Sequence, residues 1–290
     1  MQTAPNIHAL VQLLDDPDEL IFDQIKAEIL NLGSAALPTL AQLGDEDNHG
    51  LLFHERVELI MRTIQNHSLS DELISWKNEN RGEILEALLI LSRFKYPDLD
   101  ENLVRADINK LKQDVWLEIN DDLTAFEKVK ILNHFFFEEF GFTGDTSTYH
   151  SPQNSFIVDV LKNRQGNPIS LSLIYMIIAK GLKLPVYGVN LPRHFILALA
   201  NNQFTQREPQ ELGEILCYIN PFNNGTLFME GEIDQFLEQL NLPKKPNYYL
   251  PCDNVSIINR ILNNLIFSYT KENNALKASQ LREIQDKINE

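Results

Sequence analysis

The chain has 290 residues, 43% of them hydrophobic, with 12 glycines and 13 prolines. This is the composition of a folded globular protein with one large or two ordinary domains, not of a disordered chain. A formal net charge of −16 disfavours nucleic acid, whose phosphates need clustered Lys and Arg, and equally an anionic membrane surface. Cys217 and Cys252 are too few for a disulfide framework. The start, MQTAPNIHALVQLLDDPDE, lacks the basic segment and long apolar core of a signal peptide. No apolar run approaches the roughly eighteen residues of a membrane span. A cytoplasmic location is therefore expected.

Residues 1–93 read as helical throughout. Ile7–Leu14 is apolar at helical spacing and stops at Asp15-Asp16-Pro17. Asp18 can cap a helix whose Leu20, Ile21, Ile25, Ile29 and Leu32 follow the 3.6 period, with Gly33 closing it. Ser34 can cap a short helix Ala35–Leu43. The unit resembles a HEAT-like helical pair, which cannot bury its faces alone and is expected to pack on the next domain. Further helices are expected at about Phe53–Ile64 and Arg81–Arg93, with Trp76 between them as a packing residue. GDEDNHG at 44–50 partly fits a calcium loop through Asp45, Asp47, His49 and Gly50. Its twelfth position is Arg56, however, where a bidentate Glu is required, so it reads as a solvated acidic turn.

A boundary at Tyr96-Pro97-Asp98 opens the next region. Leu103–Glu118 and Ala125–Phe140 read as amphipathic helices, with His134 as a core or rim histidine on the second. After a polar loop, Gly141–Ser151, the residues Tyr149, Asn154 and Ser155 lead into a helix carrying Val158, Val160 and Leu161. Asn167 is a good N-cap and Pro168 suits the first helical position. Ile169, Leu171, Leu173, Ile174, Ile177 and Ile178 make the next helix apolar nearly all round, hence buried and central. Strands are expected at Val186–Asn190, His194–Ala200 and Ile215–Asn220. Pairing the last two about a midpoint near Arg207 sets His194 opposite Asn220. A turn at Pro221, a short helix Glu232–Leu240, a proline-rich crossing and helices over Val255–Ile288 complete the chain.

The strings NS-x5-VL, G-x-P-x-S-L-S, LP-x-H-F and NPFNNG, spread over roughly Phe94 to Leu250, resemble the SirB family of transglutaminase-like proteins. The resemblance implies an α+β fold: a HEAT-like helical segment (1–93), a transglutaminase-like core (94–250) with a central buried helix against a small antiparallel sheet, and a helical C-terminal extension (251–290). In active enzymes of this kind a cysteine opens the central helix, whose N-terminus favours the thiolate. A histidine takes the proton, and an Asp or Asn orients the ring. His194 and Asn220 match the last two roles, with Asn220 standing where the family has Asp. The cysteine's place falls on or near Pro168. Cys217, three residues from Asn220, points to the opposite sheet face, and Cys252 lies in the crossing. Arg193 and Lys183 replace expected glycines and add positive charge.

Ser170 and Ser172 are the hydroxyls near the helix start. Ser170 could act as nucleophile with His194 and Asn220, or could satisfy the backbone donors there and bond His194. Two functions are consistent with this. The first is a non-catalytic module binding a protein or peptide, with no cofactor or metal, through Asn154, Ser155, Pro168, Ser172 and Arg193. The second is a cysteine-less hydrolase or acyl-transfer enzyme. Zinc, P-loop and nucleophile-elbow motifs are all missing.

Overall fold

A computed structural model describes residues 7–45, 49–79, 82–201 and 214–290. Asp47 of the acidic turn and Arg207, the expected hairpin midpoint, lie outside the described residues. So does Arg81, the expected start of the helix before Arg93.

Helices α1 (Ile7–Gln12), α2 (Glu19–Leu32), α3 (Leu37–Gly44) and the first half of α4 (Leu51–Asn78) enclose one apolar cluster, from Val11 and Leu14 to Ile60 and Ile64. The Asp18 carboxylate caps α2 by accepting from the Leu20 N–H at 2.8 Å. Arg56 is a buried tie: its guanidinium donates to the Leu14 carbonyl at 3.0 Å and to Glu19 at 2.9 Å, and covers the Phe22 ring. Helix α4 is far longer than the expected Phe53–Ile64. Its apolar stride resumes at Leu69, Leu73 and Trp76 after a polar interruption, and this second half enters the larger core. The Trp76 indole donates to the Glu83 carbonyl at 3.2 Å.

The larger core is built around α9 (Pro168–Gly181), most of whose residues are buried. Packed round it are α5 (Ile84–Ser92), α6 (Glu101–Trp116), α7 (Ala125–Asn133), α8 (Ile157–Asn163), α11 (Asn254–Lys271) and α12 (Ala275–Asn289). The fold is α+β. The chain after α7 takes a π-helical turn, His134–Glu139, rather than continuing as α-helix to Phe140. That change of phase buries Phe136, stacked on Phe142 at 4.3 Å between centroids, and turns His134 outward. His134 is therefore not a core histidine; it is 51% exposed beside Glu138 and Glu139.

A short parallel pair, β1 (Thr143–Gly144) with β2 (Gln165–Gly166), ties the loop after the π-turn to the lead-in of α9. The main sheet is antiparallel in the order β3 (Val186–Val189), β4 (Ile196–Ala200), β5 (Ile215–Asn220), β6 (Thr226–Phe228). One face, with Val186, Leu197, Leu199, Cys217 and Ile219, joins the core of α9. The other, with Val189, Ile196, Ala198 and Tyr218, packs under α10 (Glu230–Gln239). Strand β6 is additional to the three expected strands. Asn224 and Gly225 take left-handed backbone (φ 48° and 66°) and fold the chain back into a hairpin on β5.

Register needs one correction. The expected pairing implies Leu197 opposite Cys217, whereas Leu197 pairs with Ile219 and a bulge lies at Leu199/Ala200. The slip is two residues. Side chains alternate with a period of two, so the residues paired before the bulge keep their predicted face, while Ile215 beyond it turns to the α10 side.

Candidate functional site

The first turn of α9 is fixed by its own sequence. Asn167 Oδ1 accepts from the Ser170 N–H at 3.0 Å, and Ser170 Oγ accepts from the Asn167 N–H at 3.0 Å. Pro168 stands at the first helical position, with no N–H to satisfy. The Asn167 amide also donates to Ser155 Oγ at 2.9 Å. Ser172 donates to the Pro168 carbonyl at 2.7 Å. Ser155, Ser170 and Ser172 are all buried, with their hydroxyls spent inside the scaffold.

Asn154, also buried, holds the preceding loop. Its amide donates to Asp145 Oδ2 at 3.0 Å and to the Thr148 carbonyl at 2.8 Å. Burial alone would raise the Asp145 carboxyl. Donation from Thr148, Asn154 and Ser147 outweighs it and holds that carboxyl far below the usual range. The loop so braced delivers Tyr149 and His150 to a cleft of about 620 Å³, beside Pro168 and Ile169. Arg193 and His194 from the turn before β4, and Arg260, Asn264 and Phe267 from one face of α11, complete it.

His194 sits in the turn ahead of β4, not in the strand; its N–H donates to the Leu191 carbonyl at 3.2 Å. Arg193 takes left-handed backbone (φ 61°), which swings the chain so that the imidazole reaches Asn220. His194 Nε2 lies 3.2 Å from Asn220 Oδ1. With the amide oxygen so directed, Nε2 carries the proton and Nδ1 is left as an acceptor. Phe222 and Phe236 flank the ring. Burial lowers the His194 pKa, the Asn220 hydrogen bond opposes this, and the Arg260 charge lowers it further. On balance the neutral form of the imidazole is favoured.

The structure thus brings His194 and Asn220 together and sets Pro168 and Arg193 on the same cleft. It does not join Ser170 to His194 by a hydrogen bond. Neither thiol bonds the imidazole among the described residues. Cys217 is buried on the α9 face of the sheet, away from the face of His194, and burial raises its pKa. Cys252 donates to the Gly188 carbonyl at 3.3 Å and is pushed up to about 12, chiefly by burial. Sequence reasoning missed His150, Arg260 and Phe267. The one available signal was Arg260 itself, a cation set within the apolar run Ile257–Leu262.

A family model described as the transglutaminase-like superfamily matches residues 102–263. A UPF0162 protein of Xylella fastidiosa (strain 9a5c) is 27% identical over 197 residues, covering 66% of each chain. Protein SirB1 of Salmonella typhimurium is 27% identical over 200 residues, 67% of this chain and 69% of that protein. UPF0162 protein YchA of Escherichia coli K12 is 27% identical over 207 residues, 69% and 73% of the two chains. The chain spans just under two thirds of the length of the first of these relatives. No solved structure matches. With the family match extending from α6 into α11, and the imidazole and amide beside the first turn of the buried helix, the chain belongs to the transglutaminase-like superfamily and to its SirB/UPF0162 group.

Proposed function

We propose that the chain is a non-catalytic transglutaminase-like module that binds a protein or peptide segment in the cleft at the start of α9. The observation that carries this reading is Pro168. Acyl transfer at the head of the central helix needs a nucleophile there, and backbone N–H groups to hold the oxyanion. A proline at that position offers neither a thiol nor an amide hydrogen. The serine two residues on is committed to the helix cap, and its exchange bonds with Asn167 leave it no bond to the imidazole. A neutral His194 without an acidic partner is also a poor match to a triad histidine, whose imidazolium a carboxylate stabilises.

The second reading is a hydrolase or acyl-transfer enzyme using Ser170, His194 and Asn220. It is favoured by the 3.2 Å contact between His194 and Asn220, which supplies two members of a triad. A fluorophosphonate probe separates the two. The binding module predicts no labelling of Ser170 in the folded protein. Labelling that vanishes in His194→Ala while the fold persists would establish the enzyme instead. No described helix is long and apolar enough to cross a membrane.

A further inference from the structure

Cations in this acidic protein are commonly met by carboxylates. Arg105 sits on Glu86 at 2.6 Å, Lys95 on Asp159 at 2.8 Å and Lys180 on Glu83 at 2.7 Å. Arg260 differs. Among the described residues no carboxylate lies within ion-pair distance of it, and its one hydrogen bond runs to Asn190 Oδ1 at 3.3 Å. Burial lowers its pKa, yet a guanidinium stays charged at any ordinary pH. A half-buried cation without a counter-charge is costly.

The surroundings supply no counter-charge. The Arg193 guanidinium lines the cleft with Arg260, beside the imidazoles of His194 and His150, and no Asp or Glu lines it among the described residues. The N-terminus of α9 opens here too, with its partial positive charge. In its first turn Pro168 lacks an N–H and the Ser170 N–H is capped. The Ile169 N–H, which has no acceptor one turn back inside the helix, is the donor left over. One feature has the opposite polarity: His194 Nδ1, an acceptor with no hydrogen bond among the described residues. Phe267, Tyr149 and Ile169 supply apolar walls.

We infer that the cleft binds a peptide through a carboxylate, with Arg260 as its counter-charge, Arg193 at the mouth, and His194 Nδ1 accepting a ligand amide N–H. A half-buried guanidinium beside a neutral acceptor matches the end of a peptide, whose last residue carries both a carboxylate and an N–H. A phosphate dianion would match it less well, since it brings only acceptors to a site that also presents one. This inference rests on the peptide-binding function proposed for the cleft and specifies which part of the peptide is held.

The test is an NMR titration of the full chain, reading the His194 ring and the Ile169 amide. The probes are N-acetyl-Gly-Phe, its C-terminal amide, and inorganic phosphate. The acid is expected to saturate below about 20 mM, and the amide to bind at least about tenfold more weakly, the size of effect that a desolvated charge contact gives. Arg260→Gln should remove that preference, and Arg260→Lys should restore part of it. Arg193→Ala, at the mouth, should weaken the acid by about threefold with the fold unaffected, which keeps the test decisive if Arg260→Gln fails to fold. Equal binding of acid and amide, no saturation by the acid, or phosphate binding tighter than the acid would each overturn the inference. Mass spectrometry of the recovered peptide separates this from the failure of the broader reading. A cleaved peptide would sink the non-catalytic function while leaving carboxylate binding standing, whereas an intact one bound without regard to charge would do the reverse.

Discussion

Replacing Asn154 by Ala isolates the brace beneath the cleft. The change removes two donations, to the Asp145 carboxylate at 3.0 Å and to the Thr148 carbonyl at 2.8 Å, from a residue only 2% exposed. A bond to a charged group contributes about 1.5–3 kcal/mol and one to a neutral carbonyl about 1 kcal/mol, so the loss is expected at about 2–4 kcal/mol in urea unfolding at pH 7. A double-mutant cycle with Asp145→Ala should assign roughly 1–2 kcal/mol of it to the pair. The pH dependence has a definite sign. Hydrogen bonding depresses the Asp145 carboxyl in the folded protein, so its contribution is complete above the unfolded carboxylate value of about 3.9 and drains away as pH falls below it. Asn154→Ala lacks part of that depression, so the gap between the two proteins should narrow below about pH 4. A loss under about 0.5 kcal/mol, or a gap that widens on acidification, would refute the account of Asn154 as the loop's anchor.

Two further substitutions probe neighbouring geometry. Asn220→Asp replaces a neutral acceptor with an anion 3.2 Å from His194 Nε2. The imidazole pKa, below its ordinary value in the native protein because of burial, should rise by a unit or more, about what a nearby opposite charge does; an unchanged NMR titration would mean the two side chains do not meet. In the native protein a lowered His194 pKa means that its contribution to stability is complete above about pH 6.5 and declines as pH falls toward the folded value. Lys183→Gly, at a left-handed position (φ 58°), should relieve about 1–2 kcal/mol of backbone strain against about 0.5–1 kcal/mol of added unfolded-state entropy. The melting temperature should therefore rise by a few degrees, and a fall would show that the lysine side chain makes a compensating contact.

Local features were the legible ones. The Asn167 cap, Pro168 at the helix start and the apolar run after it are written within fifteen residues, and no tertiary contact competes with them. The contact of His194 with Asn220 was inferred from the wrong register; His194 stands in the turn before β4, and it is the left-handed backbone of Arg193 that carries the ring to Asn220. Where distant packing decides, sequence reasoning failed. The run Gln65-Asn66-His67-Ser68 looks like the end of a helix, yet α4 continues through it because a second core receives Leu73 and Trp76. Nothing local in Phe135-Phe136-Phe137 distinguishes a π-turn from an α-helix; the buried stack of Phe136 on Phe142 selects it. His150 and Arg260 are 110 positions apart in the sequence, and only the fold brings them to one cavity. The role of Ser170 was open between nucleophile and cap. The hydroxyl turns toward Asn167, its nearest backbone donor, as serines at helix starts tend to do.

Helix α4 has 28 residues, about 42 Å of unbroken rod at 1.5 Å per residue. It lends one end to each of the two apolar clusters. A rod shared in this way leaves no hinge, so the N-terminal helices cannot swing as a tethered module would, and melting one cluster withdraws a wall from the other. Calorimetry should accordingly record a single merged endotherm.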